Sequence, residues 1–116
     1  MMLNWNEYRK ELMATIKKMA GISPDVVQGY QQITGAGAKT NKLNEKTRQL
    51  ISLAVAVTTK CDGCITVHTD LAIKAGATRE EIMEALGVAV AMNAGAALVY
   101  SARVMDAFEQ RSAAAV

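Results

Sequence analysis

Along most of this chain apolar positions recur at steps of three and four, the spacing that lines up side chains on one face of an α-helix. In "NWNEYRKELMATIKKMAG" the residues Trp5, Tyr8, Leu12, Ile16 and Met19 share a face, and Gly21 is a natural stop. "SPDVVQGYQQITG" restarts the pattern: Ser23 caps, Pro24 takes the first helical position, and Val26, Tyr30 and Ile33 form a stripe. "GAGAKTNK" is expected to be the longest loop. Asn44 is placed to cap a third helix, "EKTRQLISLAVAVTT", which turns apolar on nearly every side after Gln49 and is therefore expected to be buried. Lys60-Cys61-Asp62-Gly63 breaks that run, and "CITVHTDLAIKAG" resumes helical spacing until Gly76. Thr78 and Glu81 have the spacing of a capping box, opening a helix whose core face carries Ile82, Leu86, Ala89 and Val90. Asn93-Ala94-Gly95 is expected to separate it from a last helix bearing Leu98, Ala102 and Met105, with a frayed tail over residues 111–116. The sum is an all-α chain, a single domain over residues 1–116, folded as a compact bundle of about six helices.

Composition supports helices over sheets. Apolar residues make up 51% of the chain and aromatic residues only 4%, a mixture suited to close helix packing. With 13 basic and 11 acidic residues interspersed, the net charge of +2 leaves no electrostatic footprint for nucleic acid. The opening "MMLNWNEYRKELM" is charged early and lacks an apolar core, so no export signal is expected and the cytosol is the expected compartment. "ALGVAVAMNAGAALVYS", residues 85–101, is uncharged and near the length of a membrane span, but Ala and Gly dominate it and Asn93 and Gly95 sit at its middle. It is read as two buried helical pieces rather than a span. A low aromatic content and a small core also suggest that burial between subunits matters.

The candidate chemistry is concentrated in "CDGCITVHTD", which holds both cysteines and the only histidine. A thiol with a pKa of ~8.5 is only about 3% ionised at pH 7, so reactivity needs help. Cys61 and Cys64 fall where a helix begins, and its unpaired backbone N–H groups favour negative charge. Lys60 acts in the same direction and Asp62 against it. His68 lies four residues after Cys64, on the same face one turn along, and can take its proton more directly than that of Cys61. Cys64 is thus the better candidate for attack on an oxidant, with Cys61 closing a disulfide and meeting a reductant. Other readings stand beside this one. Buried free cysteines and core histidines are common. A purely structural disulfide over so short a loop would contribute only about 2 kcal/mol. Zinc would find three ligands here and need a fourth, for which Asp70, water or another subunit are the candidates.

Residues 43–108, "LNEKTRQLISLAVAVTTKCDGCITVHTDLAIKAGATREEIMEALGVAVAMNAGAALVYSARVMDAF", resemble the alkylhydroperoxidase AhpD-like proteins of the carboxymuconolactone decarboxylase family. The CxxC-x3-H spacing, the flanking "KTR" and "LAVAVTT" runs and the "AGAT.EEI.EALGVA" run match together. The resemblance implies an all-helical fold assembled as a homo-trimer or homo-hexamer. It implies peroxidase or thiol–disulfide activity on a small hydroperoxide, reset by a thiol reductant or a reducing partner protein, with no organic or metal cofactor. By position Cys61 and Cys64 match the redox pair and His68 the histidine of a proton relay. The relay's glutamate falls at Gln49, an amide without a useful proton to exchange, left with a possible orienting role. Glu45, ~6 Å earlier along the helix axis, and Glu84 are candidate replacements, more simply read as surface acids. Two alternatives follow. A lactone decarboxylase would need cationic groups such as Arg48 and Arg103 and leaves the cysteine pair without a role. A non-catalytic, redox-sensing oligomer is favoured by the missing glutamate.

Overall fold

Helix boundaries fall where capping groups stand. The computed structural model describes residues 2–114, and five α-helices account for nearly all of them: α1 (Trp5–Ile22), α2 (Pro24–Thr40), α3 (Glu45–Thr59), α4 (Asp62–Lys74) and α5 (Arg79–Ala114). Asn4 caps α1 by accepting the Glu7 N–H, and Asn44 caps α3 by accepting the Thr47 N–H at 2.9 Å. Ser23 closes α1 through its N–H on the Met19 carbonyl, and Pro24 opens α2 at once. Gly76 takes a left-handed φ of 85°, the conformation glycine adopts without cost, and turns the chain out of α4.

The capping box forms reciprocally: Thr78 Oγ1 accepts the Glu81 N–H at 3.0 Å, and Glu81 accepts the Thr78 N–H at 2.9 Å. Lys46 of α3 lies 2.8 Å from the same carboxylate, tying the start of α5 to α3. Hydrogen bonding from Lys46, then from the Thr78 backbone, holds the Glu81 carboxyl down at about 2. Because the folded-state value lies below the ordinary 4.5, this stabilisation is complete above about pH 4.5 and is lost as pH falls toward about 2. Thr78→Ala is expected to lower the unfolding free energy by about 1 kcal/mol in denaturant titrations. Glu81→Gln is expected to flatten the loss of stability between those two pH values.

Two expected breaks are helical instead, which reduces about six helices to five. "GAGAKT" belongs to α2, and the loop to α3 is only residues 41–44. Arg48 shortens it: the guanidinium donates to Asn41 Oδ1 at 3.0 Å and to the Leu43 carbonyl, and pairs with Glu45 at 2.7 Å. Its side chain lies against Gly37, where a Cβ would come within 2.9 Å of Arg48 Cδ. The Asn93-Ala94-Gly95 break is also absent, and α5 runs on for 36 residues. The Asn93 amide is satisfied without leaving the helix, donating to the Ala89 carbonyl at 2.7 Å and to Thr58 Oγ1 of α3 at 2.9 Å. Alanines on both sides carry the helix past Gly95. Residues 111–114 of the expected frayed tail are helical, while 115 and 116 lie outside the described residues.

Helix α3 is central, packed on α4 and α5, and α1 packs on α2 and α4. Leu53 and Ala56 of α3, Ala72 of α4 and Ala89 of α5 are buried, and the alanines let the helix backbones approach closely. Helix α3 is not buried all round: Ile51, Val55 and Val57 are exposed on its other side. Nor do Val90, Leu98 and Met105 meet a core within the chain. The chain is not compact, with a radius of gyration of 19.7 Å against about 13 Å for a globule of this length. By length and composition alone α5 is able to cross a bilayer, but its first half packs along α3.

Candidate active site

Only Lys60 and Cys61 connect α3 to α4. Lys60 is left-handed at φ 56°, and the Cys61 N–H reaches back to the Ala56 carbonyl at 3.0 Å, so the chain reverses within two residues. Cys61 is thereby the N-cap of α4, and its sulfur accepts the Cys64 N–H at 3.1 Å. The two cysteines form a disulfide with Cα atoms 5.2 Å apart, and both are half-buried. The unpaired N–H groups of a first helical turn favour negative charge, and Cys61 stands at that position.

His68 follows Cys64 by one helical turn and stands against α3. Its Nδ1 lies 2.7 Å from Oε1 of Gln49, which is only 7% exposed. Gln49 Nε2 in turn donates to Glu45 Oε1 at 2.8 Å, one turn earlier on α3. Burial pulls the imidazole below its usual pKa of 6.5, and the Glu45 charge opposes that shift. Glu45 is itself held below the ordinary carboxylate value by hydrogen bonds from Arg48 and then Gln49. At neutral pH the row is therefore an ionised carboxylate, an amide and a neutral imidazole.

Cys61, Cys64 and His68 line one cavity of about 510 Å³. Cys61, Gly63, Cys64, Val67 and His68 form the α4 side, and α1 and α2 supply an apolar wall that includes Leu12, Ile16, Val26 and Tyr30. Gly63 lets α1 come close, since a Cβ there would lie 2.9 Å from Leu12 Cδ2. Helix α1 is pinned to α4 by Thr66 Oγ1 donating to the Trp5 carbonyl at 3.0 Å and by Arg9 and Asp70 at 3.3 Å.

The structure thus brings together Cys61, Cys64, His68 and Gln49, and of the two candidate replacement acids it joins Glu45 to them. Other candidates stand elsewhere. Asp70, the candidate fourth metal ligand, is engaged by Arg9 and Lys74. Glu84 is exposed on α5 and Arg103 stacks over Tyr100 there, 4.9 Å from the ring centre. Arg48 is committed to the loop before α3. The apolar wall was not foreseen as part of a site. Its signal was present in the stripes of α1 and α2, which read as core faces and instead leave a gap between them.

The carboxymuconolactone decarboxylase family model matches residues 24–107, a stretch that contains the disulfide, His68 and Gln49. An uncharacterized protein of Haemophilus influenzae is 42% identical over 113 residues, 97% of this chain and 100% of its own length. Among solved structures, a carboxymuconolactone decarboxylase family protein from Legionella pneumophila superposes with a TM-score of 0.73 at 36% identity, covering 91% of this chain and 95% of that one. A protein from Methanobacterium thermoautotrophicum gives a TM-score of 0.69 at 30% identity, covering 77% of this chain and 97% of that one. The chain belongs to the carboxymuconolactone decarboxylase family and has the all-helical fold of its AhpD-like members.

Proposed function

We propose that this protein is a thiol-dependent peroxidase or thiol–disulfide oxidoreductase of the cytosol. The observation that carries the reading is that Cys61 and Cys64, joined by a disulfide, line a single apolar-walled cavity together with His68. In the reduced protein His68 accepts the Cys64 thiol proton. The thiolate attacks the terminal oxygen of a hydroperoxide, the O–O bond breaks, and the alcohol leaves with a proton, giving a sulfenic acid at Cys64. The Cys61 thiolate then attacks that sulfur, water leaves, and the disulfide closes. A dithiol, small or carried on a protein, supplies two electrons and two protons to reopen it. The reductant's thiolate attacks Cys61 at the helix end, and Cys64 leaves as the thiolate that meets the next peroxide.

Turnover of an organic hydroperoxide with dithiothreitol as reductant tests this. Reversible oxidation without turnover would favour a redox sensor. Decarboxylation of a carboxylated lactone would favour a lyase, although no Arg or Lys lines the cavity among the described residues.

A homo-oligomer is part of the proposal, as a trimer or hexamer. Its support is the apolar surface left uncovered on α3 and along α5, where Leu98 is 76% and Phe108 64% exposed. Burial between copies accounts for a long apolar α5 without a membrane. Leu98→Lys with Phe108→Lys is expected to shift the native mass measured by light scattering toward that of one chain. An unchanged mass would place the interface elsewhere.

A further inference from the structure

We infer that Glu45 is a positioning residue for His68: through the Gln49 amide it fixes which imidazole nitrogen is free to take the Cys64 proton. This rests on the peroxidase or exchange reading of the same site. An ionised carboxylate only accepts hydrogen bonds, so the Gln49 group 2.8 Å from Glu45 is its NH2. Fixing the nitrogen on that side leaves Oε1 toward His68, 2.7 Å from Nδ1. An amide oxygen also only accepts, so Nδ1 must carry the ring proton. In the neutral imidazole Nε2 then has the free lone pair. A free imidazole side chain in water prefers the opposite tautomer, with the proton on Nε2, which offers the thiol no acceptor on that atom. Burial of His68 favours the neutral ring, so the choice of tautomer decides whether a base is present.

The departure at position 49 is explained on the same terms. Where the family relay uses one glutamate, this chain splits the role between two residues. Gln49 makes the contact and Glu45 supplies the charge one turn away. Glutamate at both positions would bring two carboxylates into contact and force one to hold a proton. Gln49→Glu alone is therefore expected not to improve the site, whereas Glu45→Gln combined with Gln49→Glu places a carboxylate directly on Nδ1.

His68 is the only histidine, so its two ring nitrogens can be read without ambiguity in long-range ¹H–¹⁵N spectra of the whole protein. The wild type is expected to show a protonated Nδ1 and a free Nε2 above the His68 pKa. In Glu45→Ala and Glu45→Gln the amide can turn, the Nε2-protonated form is expected to rise, and thiol-dependent turnover to fall several-fold. The exchanged pair is expected to recover both the tautomer and the turnover. A purely structural role for Glu45 through Arg48 predicts no such recovery, because the exchanged pair also lacks Glu45. A wild-type ring protonated at Nε2, or an unchanged Nδ1 proton in both Glu45 variants, overturns the inference. The tautomer readout needs no turnover. If the variants change tautomer as expected while the wild type reduces no hydroperoxide, the positioning stands and the peroxidase reading fails.

Discussion

Cys64→Ser is expected to reduce hydroperoxide turnover to the uncatalysed background, because the thiol one helical turn from His68 is then gone. The remaining Cys61 sulfur keeps its helix-end stabilisation, since it caps α4 and accepts the backbone N–H of residue 64, which a serine retains. It still exchanges with small disulfides and is alkylated at neutral pH. Cys61→Ser behaves differently. Cys64 is still oxidised, but the sulfenic acid has no partner within the chain, so without added thiol the protein stalls after a single event and no intramolecular disulfide forms. Steady-state peroxide consumption, paired with mass spectrometry of the stalled protein, distinguishes the two. Full activity in Cys64→Ser would reverse the roles given to the cysteines.

His68→Gln is expected to lower turnover by about 10²- to 10⁴-fold, the range for loss of a positioned general base. The fold is expected to survive, since the substituted amide still offers Gln49 a donor. The pH profile carries the same information. Burial depresses the imidazole below 6.5, so in the wild type the base stays unprotonated through neutral pH and the acidic limb of activity falls below that value. The His68→Gln variant is expected to lose that limb and to follow thiol ionisation alone. Loss of less than about tenfold would mean that the helix end, not the imidazole, activates Cys64.

Much of this was legible in the residues. The caps at Asn44 and Thr78 and the stop at Gly76 are local chemistry and fall where the pattern places them, whereas Ser23 stands at the N-cap position of α2 without a side-chain capping bond. The cysteine pair and its histidine were legible because CxxC-x3-H puts each one about a helical turn from the next. The failures have a common cause. Gly35, Gly37 and Gly95 read as breaks, but a glycine ends a helix only where the chain adopts the left-handed turn, as Gly76 does. Apolar stripes read as core also failed at Tyr30, Val90 and Leu98, because periodicity marks a face to be covered without saying what covers it. On α2 that face borders the cavity, and on α5 it awaits another copy in the proposed oligomer. Glu45 looked like a surface acid and is one by exposure. Its link to His68 depends on the Gln49 side chain spanning the two, which spacing along a single helix does not reveal.

The most direct test is a single-turnover measurement. Fully reduced wild type and His68→Gln are mixed rapidly with one equivalent of an organic hydroperoxide, and loss of both thiols is followed together with disulfide formation. Paired loss of Cys61 and Cys64 is expected, far faster in the wild type than for free cysteine and slowed by at least about a hundredfold in the variant. Thiol loss at the free-cysteine rate, unchanged when His68 is replaced, would contradict it.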